Sequence, residues 1–316
     1  MSSKFVTRAA RFGQLMRNRP LTGYRGVHLS FDNRLGSVEH YFHFLLGFLV
    51  PLLKVWPDVG ADDTPVLIRS CALMDRHLAA LDLPLLKVLD RDLHRILGKT
   101  DGIPGVFARN LSRIRQSGYD LPTYYDAEAF AVARARLPVH LARQVEIARR
   151  DVEALFGDGP RVVVIDRLPA EAYFLSARSE GKGSGTLRRS VPNMAELAEA
   201  IRLDLGAAHL VTLERSNLAF QFALFQAAEV VIAQHGAALA NLIWCEPGTS
   251  VVEILAEERR TDPALIDYFG QLSHCLGLSY YPVWQADNHA PVPVTDLRPV
   301  VAALRSQRAV ARRAMD

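Results

Sequence analysis

Residues 216–255 read SNLAFQFALFQAAEVVIAQHGAALANLIWCEPGTSVVEIL, and this stretch decides the fold. Leu218, Phe222 and Phe225 recur at helical spacing and lead into an apolar run, Val230-Val231-Ile232-Ala233, which ends at Gln234-His235-Gly236. Small residues and Asn241 follow, then a Pro247-Gly248 turn and a second apolar run from Val251 to Leu255. Two short apolar runs joined by a compact segment predict parallel strands, with a sharp turn feeding a helix N-terminus. Free backbone N–H groups and the helix dipole make such a turn an anion site. Gly236 lets a ligand approach the backbone closely, and His235 can donate to a phosphate oxygen. A plain strand–turn–helix with a buried histidine gives the same local pattern.

Outward from this stretch, strands and helices alternate from Arg161 onward. Strands are expected at 161–166, 209–214, 230–234, 251–255 and 278–283. Helices are expected at 193–205, 217–228, 237–244 and 264–276. This is a doubly wound α/β pattern. Asn193 and Glu196 read as an N-x-x-E capping box. Arg167 at a strand end and Arg188 and Arg189 before a helix can converge on one pyrophosphate, for which the guanidinium fork is well shaped. Surface arginines beside a polar loop would look the same. The loop GKGSGT at 181–186 lacks Walker A spacing and reads as a linker or flap. The first half is less regular, with strands at 65–69 and 85–89 and helices at 38–55 and 126–155. Gly157-Asp158-Gly159-Pro160 is a natural hinge, dividing the chain into 1–157 and 158–316.

The 216–255 block resembles the C-terminal signature of glycosyltransferase family 61, a group with many bacterial polysaccharide relatives. Ser216, Gln221, Phe225, Ala228, His235, Gly236, Ala237, Leu239, Asn241, Pro247, Gly248 and Glu253 match. Phe220 stands where the family often has Glu, Gln234 where it has Pro, and Ala238 where it has a second Gly. The resemblance extends to Val162–Arg167 and Arg188–Asn193, and to Tyr41 and His43 in the N-terminal helix. There the family's Asp is replaced by Gly47, and Val50 reads as an insertion before Pro51. The resemblance implies a GT-B architecture, in which two Rossmann-like lobes face a cleft and a C-terminal helix packs back on the first lobe. It implies inverting transfer from a nucleotide sugar, a UDP-sugar first, to a glycan or lipid-linked saccharide. Arg167, Arg188, Arg189, His235, Gly236, Ala237 and Asn241 would bind the donor, with Asn241 either touching it or supporting the loop. Glu253 reads as structural. Inverting transfer needs a base for the acceptor hydroxyl and positive charge for the leaving diphosphate. His43 is the first candidate base and Glu39 the second, four residues apart on one helical face. Gly47 also admits a catalytically silent binding subunit of a polysaccharide-assembly complex.

A chain of 316 residues is long enough for two cores. A net charge of +3 is too small to point to nucleic acid. Cys71, Cys245 and Cys275 are far apart and read as reduced thiols of a cytoplasmic protein. No secretory signal is evident, and the apolar stretch Phe42–Leu53 is too short to span a bilayer. Residues 1–25 hold six basic and no acidic side chains, with Phe5, Ala9, Phe12 and Met16 on one helical face. That fits either peripheral contact with the inner membrane or a tail packed on the domain. No cofactor is required. A divalent cation could use the i, i+3 pair His40 and His43, or Asp90 and Asp92 in a D-x-D, but each is a common surface pattern. Residues 109–122 read as a basic polar loop.

Overall fold

The computed structural model describes residues 26–30, 37–59, 66–88, 106–110, 125–179, 184–260 and 268–313. Residues 1–25, the Asp90-Arg91-Asp92 triplet, most of the 109–122 loop and residues 181–183 lie outside the described residues.

A first parallel sheet holds β1 (Gly26–Ser30), β2 (Val66–Arg69), β3 (Leu85–Val88) and β4 (Val106–Asn110), in the order β3-β2-β1-β4. β2 and β3 are the two strands expected there. β1 and β4 are additional, and β4 takes the start of the segment read as a loop. Between β1 and β2, α1 (Tyr41–Phe44) runs through a π-helical turn, Leu45–Leu49, into α2 (Val50–Val59). A π turn accommodates one extra residue in a helix, and Val50 directly follows it. Gly47 sits buried inside this turn. α3 (Asp75–Ala80) links β2 to β3. The long helix expected over 126–155 is two helices, α4 (Ala127–His140) and α5 (Ala142–Phe156), broken at Leu141. Asp126 caps α4 by accepting from Ala129 N at 2.9 Å and also pairs with Lys54 at 2.9 Å.

The second sheet holds β5 (Val162–Asp166), β6 (His209–Thr212), β7 (Val230–Gln234), β8 (Ser250–Ala256) and β9 (Ser279–Gln285). All five are parallel, in the order β6-β5-β7-β8-β9. Its side chains alternate between two apolar layers, as the period of two requires. Val163, Ile165, Val231, Ala233 and Val251 join one core, and Val162, Val164, Ile232, Val252 and Ile254 join the other. α6 (Met194–Leu205) covers the second layer; α7 (Leu218–Ala227), a 310 helix at Ala237–Trp244 and α8 (Tyr268–Cys275) cover the first. Helices on both faces explain why the central strands β5, β7 and β8 are so rich in apolar residues.

The first core continues into residues of α1, the π turn, α2, α4 and α5, with α5 packed on α7 and α1 on the 310 helix. The hinge at 157–160 is thus crossed by one continuous apolar layer. α9 (Val294–Arg313) corrects an expectation. It packs on α6 and β9 through Leu297, Val301 and Leu304, and Arg305 pairs with Asp204 at 3.2 Å. It covers the open face of the second sheet rather than returning to the first lobe, because that face would otherwise stay exposed. Asn193 also departs from the capping box. Its side chain makes no cap bond and instead clasps Val292, accepting from its N–H at 3.0 Å and donating to its carbonyl at 2.8 Å. No helix among the described residues is long and apolar enough to cross a membrane. Cys71, Cys245 and Cys275 form no disulfide among the described residues.

Candidate active site

The strand order places a switch point between β5 and β7. The helix after β5 lies on one face of the sheet and the helix after β7 on the other. The crevice this opens at the carboxyl ends of the strands is where doubly wound sheets hold ligands. Ile165 is in register with Ala233, so Arg167 and His235 emerge side by side at that crevice. Arg167 Nη2 donates to the His235 carbonyl at 2.8 Å, and Arg189 Nη1 donates to the same oxygen at 3.4 Å. Arg189 is steered by Asn288, whose Oδ1 accepts from Nε at 3.1 Å. Arg188 is exposed; its N–H donates to the Gly185 carbonyl at 3.1 Å, and its guanidinium makes no hydrogen bond among the described residues. Arg259, on a 310 turn after β8, completes the group and has no signal in the sequence beyond a run of surface-like charges.

The arginines act on one another. Burial, then Arg188, Arg259 and Arg167, pulls the Arg189 guanidinium down to about 9. Burial and Arg188 lower Arg167 and Arg259 in the same way. Like charges gathered where water is sparse are costly unless an anion joins them. Gly236 makes the gathering possible: a Cβ there would lie 1.9 Å from Arg167 Nη2. Ala237 opens the 310 helix, as expected.

Two residues read as structural or as loop support turn out to tune this turn. Glu253, 0% exposed, lies 2.5 Å from His235 Nδ1 and accepts from the Tyr280 hydroxyl at 2.5 Å. Burial is the main cause that holds the His235 imidazole down to about 2 and raises the Glu253 carboxyl to about 7. The pair therefore shares one titrating proton. While it keeps that proton, Nδ1 is engaged with Glu253 and Nε2 carries a hydrogen that can be given to an anion. When the proton leaves, Glu253 holds Nδ1–H and Nε2 presents a lone pair. Asn241, also 0% exposed, accepts from the Tyr41 hydroxyl at 2.7 Å and donates to Gln221 Oε1 at 2.9 Å and to the Ala238 carbonyl at 3.1 Å. It fastens α1 to the 310 helix.

A cleft runs from this turn toward α1 and α3. Arg167, Ala237 and His40 line it. His43 lies beside His40, with ring centroids 6.3 Å apart, and burial, His40 and Arg188 hold it down to about 4. Glu39 is not on the helix with His43. It precedes α1, and its carboxylate accepts from the Tyr173 hydroxyl at 2.6 Å and the Ser179 hydroxyl at 3.3 Å. Gln234, where the family has Pro, donates to Gln285 Oε1 at 2.7 Å and to the Ser190 and Asn288 carbonyls at 3.1 Å each. It thereby ties the Arg188–Arg189 loop to the sheet. Among the described residues no group of three or more His, Cys, Asp or Glu side chains is placed to hold a metal ion.

The near end of the 181–186 loop folds back on the segment after β5, with Thr186 N donating to Leu168 O at 3.0 Å. Gly185 has φ +58, and a Cβ there would lie 2.4 Å from Leu168 O and 2.6 Å from Ala170 N, both backbone atoms. Gly185→Ala is expected to cost about 2 kcal/mol, from the left-handed backbone and the clash together. Thermal melting of the two proteins checks it, and an unchanged melting temperature would contradict the geometry.

No curated protein matches the chain. The sequence model of the family described as Glycosyltransferase 61 matches residues 41–252. That span runs from the first residue of α1 into β8 and carries the Arg167, Arg189 and His235 that meet at the switch point. With more than half of its length matched, the chain belongs to glycosyltransferase family 61 and is a glycosyltransferase.

Proposed function

We propose that the protein is an inverting glycosyltransferase of GT-B architecture, with residues 158–316 binding a nucleotide-diphosphate sugar and residues 1–157 receiving the acceptor. The convergence of Arg167, Arg188, Arg189 and Arg259 on the turn around His235 carries this reading. A diphosphate is the anion that such a cluster suits, and its negative charge grows as the glycosidic bond breaks. The donor is a UDP-sugar, and the acceptor is a glycan or lipid-linked saccharide in polysaccharide assembly. The inner membrane face is the working place, reached through the basic stretch of residues 1–25. For the acceptor proton we favour His43, kept neutral at physiological pH by burial, with His40 next to it on the cleft wall. Glu39, engaged by Tyr173 and Ser179, would hold the loop above the cleft. No metal is required, because the arginines can take the phosphate charge.

Calorimetric titration of UDP, GDP, CMP and their common sugar conjugates tests this reading. Wild type is expected to bind one nucleotide class saturably. Arg189→Ala loses charge-assisted contacts and is expected to weaken that binding by about 100-fold or more. Binding of the same strength to Arg189→Ala and His235→Ala would remove the donor site from this turn.

A further inference from the structure

The far end of the cleft carries two buried polar atoms that the diphosphate reading leaves unused. His77, on α3, is 1% exposed and lines the cleft, and its Nδ1 has no hydrogen-bond partner among the described residues. Glu214, just after β6, also lines the cleft. Its Oε1 accepts from Leu168 N at 3.1 Å, while its buried Oε2 has no partner among the described residues. Arg76 joins the two. Its Nε lies 3.5 Å from His77 Nε2, and its Nη2 donates to the Glu214 carbonyl at 2.5 Å. With Nε2 receiving from Arg76, the hydrogen of the neutral imidazole belongs on Nδ1. Burial and Arg76 hold His77 down to about 4, so it is neutral under physiological conditions. Two residues that line the cleft therefore carry an unused donor and an unused acceptor.

A buried polar atom without a partner costs stability, and native proteins keep few of them. A donor and an acceptor left unpaired on two residues that line one cleft are matched by hydroxyls, which both give and receive. Leu168 directly follows Arg167, so the Glu214 carboxylate stands next to the diphosphate cluster. We infer that Glu214 and His77 form a hydroxyl-binding subsite that takes the diol of a sugar ring carried next to the phosphates. Its position beside the diphosphate rests on the donor reading above. Two rings meet that description, the ribose of the nucleotide and the transferred sugar.

Ligand-observed NMR on the full chain separates these sources and keeps the two readings apart. The probes are inorganic pyrophosphate, ribose 5-phosphate and a panel of hexose 1-phosphates. The proteins are wild type, Glu214→Gln, which keeps the acceptor for Leu168 N, and His77→Phe, which keeps the ring shape. Ring protons of ribose 5-phosphate or of one hexose phosphate are expected to receive saturation from wild type. Affinity for that probe should fall by about tenfold in each variant, while pyrophosphate binds all three proteins alike. Loss confined to ribose 5-phosphate assigns the ribose, and loss confined to a hexose phosphate assigns the transferred sugar. Sugar-phosphate binding without pyrophosphate binding would overturn the diphosphate reading and leave the subsite standing. No transfer to any sugar ring in wild type, or equal transfer in the variants, would overturn the subsite. His77→Phe supplies an independent check, because it removes an unpaired buried polar atom. Its melting temperature should rise by about 2 °C while sugar binding falls. A fall in both would mark His77 as a packing residue and overturn its role.

Discussion

Gly236→Ala is expected to leave the fold intact and to weaken nucleotide-diphosphate binding by about 100-fold. The backbone at Gly236 is extended, with φ 162, so an alanine meets no conformational penalty there. The obstacle is Arg167. The new Cβ would stand 1.9 Å from Nη2 and 3.0 Å from Cζ, so the guanidinium has to leave its place. It then loses its 2.8 Å bond to the His235 carbonyl, a charge-assisted contact worth about 1.5–3 kcal/mol. The displaced cation also leaves the point where β5 and β7 part, which is where the phosphates are proposed to sit. A side-chain tip can move at little cost to the core, so the melting temperature should drop by only a few degrees. Titration with the nucleotide that wild type binds, alongside circular dichroism, checks both halves. Wild-type affinity in this variant would show that Arg167 does not hold the donor.

The second sheet was legible because its central strands β5, β7 and β8 are covered on both faces. Val230–Ala233 is an unbroken apolar run for that reason, Val251–Leu255 is one interrupted only by Glu253, and Gln234-His235-Gly236 marks the end of β7 as a polar stop. The first sheet was half legible. In the sequence β1 and β4 are five-residue segments carrying His28 and Arg109, too short and mixed to separate from a loop. The π turn was not legible: Val50 reads as an extra residue before Pro51, but nothing local says that a single extra residue is absorbed by helix widening. The direction of α9 was not legible, since its apolar stripe fits any open face and only the finished sheet shows which one needs cover. In the site, Arg167, Arg189 and His235 carried their own local signals. Their tuning partners did not. Glu253 reaches His235 only because β7 and β8 pair, and Arg76 reaches Glu214 across 138 residues. Such contacts are products of topology, and no spacing rule encodes them.

Glu253→Gln is expected to move the acid limb of the stability curve and the alkaline limb of donor binding together. In the wild type Glu253 titrates near 7 when folded and near 4.5 when unfolded, so its contribution grows as pH falls through that window. His235 titrates near 2 when folded and near 6.5 when unfolded, so its contribution is lost as pH falls below 6.5. The two cancel between 4.5 and 6.5, where the folded pair and the unfolded chain each hold one of these protons. Glutamine leaves only the histidine limb. Relative to wild type, the variant should therefore lose about 2–3 kcal/mol between pH 6.5 and pH 4.5. Urea unfolding of both proteins across that range measures the difference directly, and parallel curves would mean that the pair does not share a proton. The binding limb follows from the hydrogen on Nε2. Wild type should lose donor affinity as pH rises through about 7, where Glu253 ionises and Nε2 becomes an acceptor facing phosphate. A glutamine amide can still donate to Nδ1 and accept from Tyr280, which fixes the hydrogen on Nε2 at every pH. Its donor affinity should stay flat from pH 6 to 8. A wild-type-like fall in the variant would place the responsible titration elsewhere than the His235–Glu253 pair.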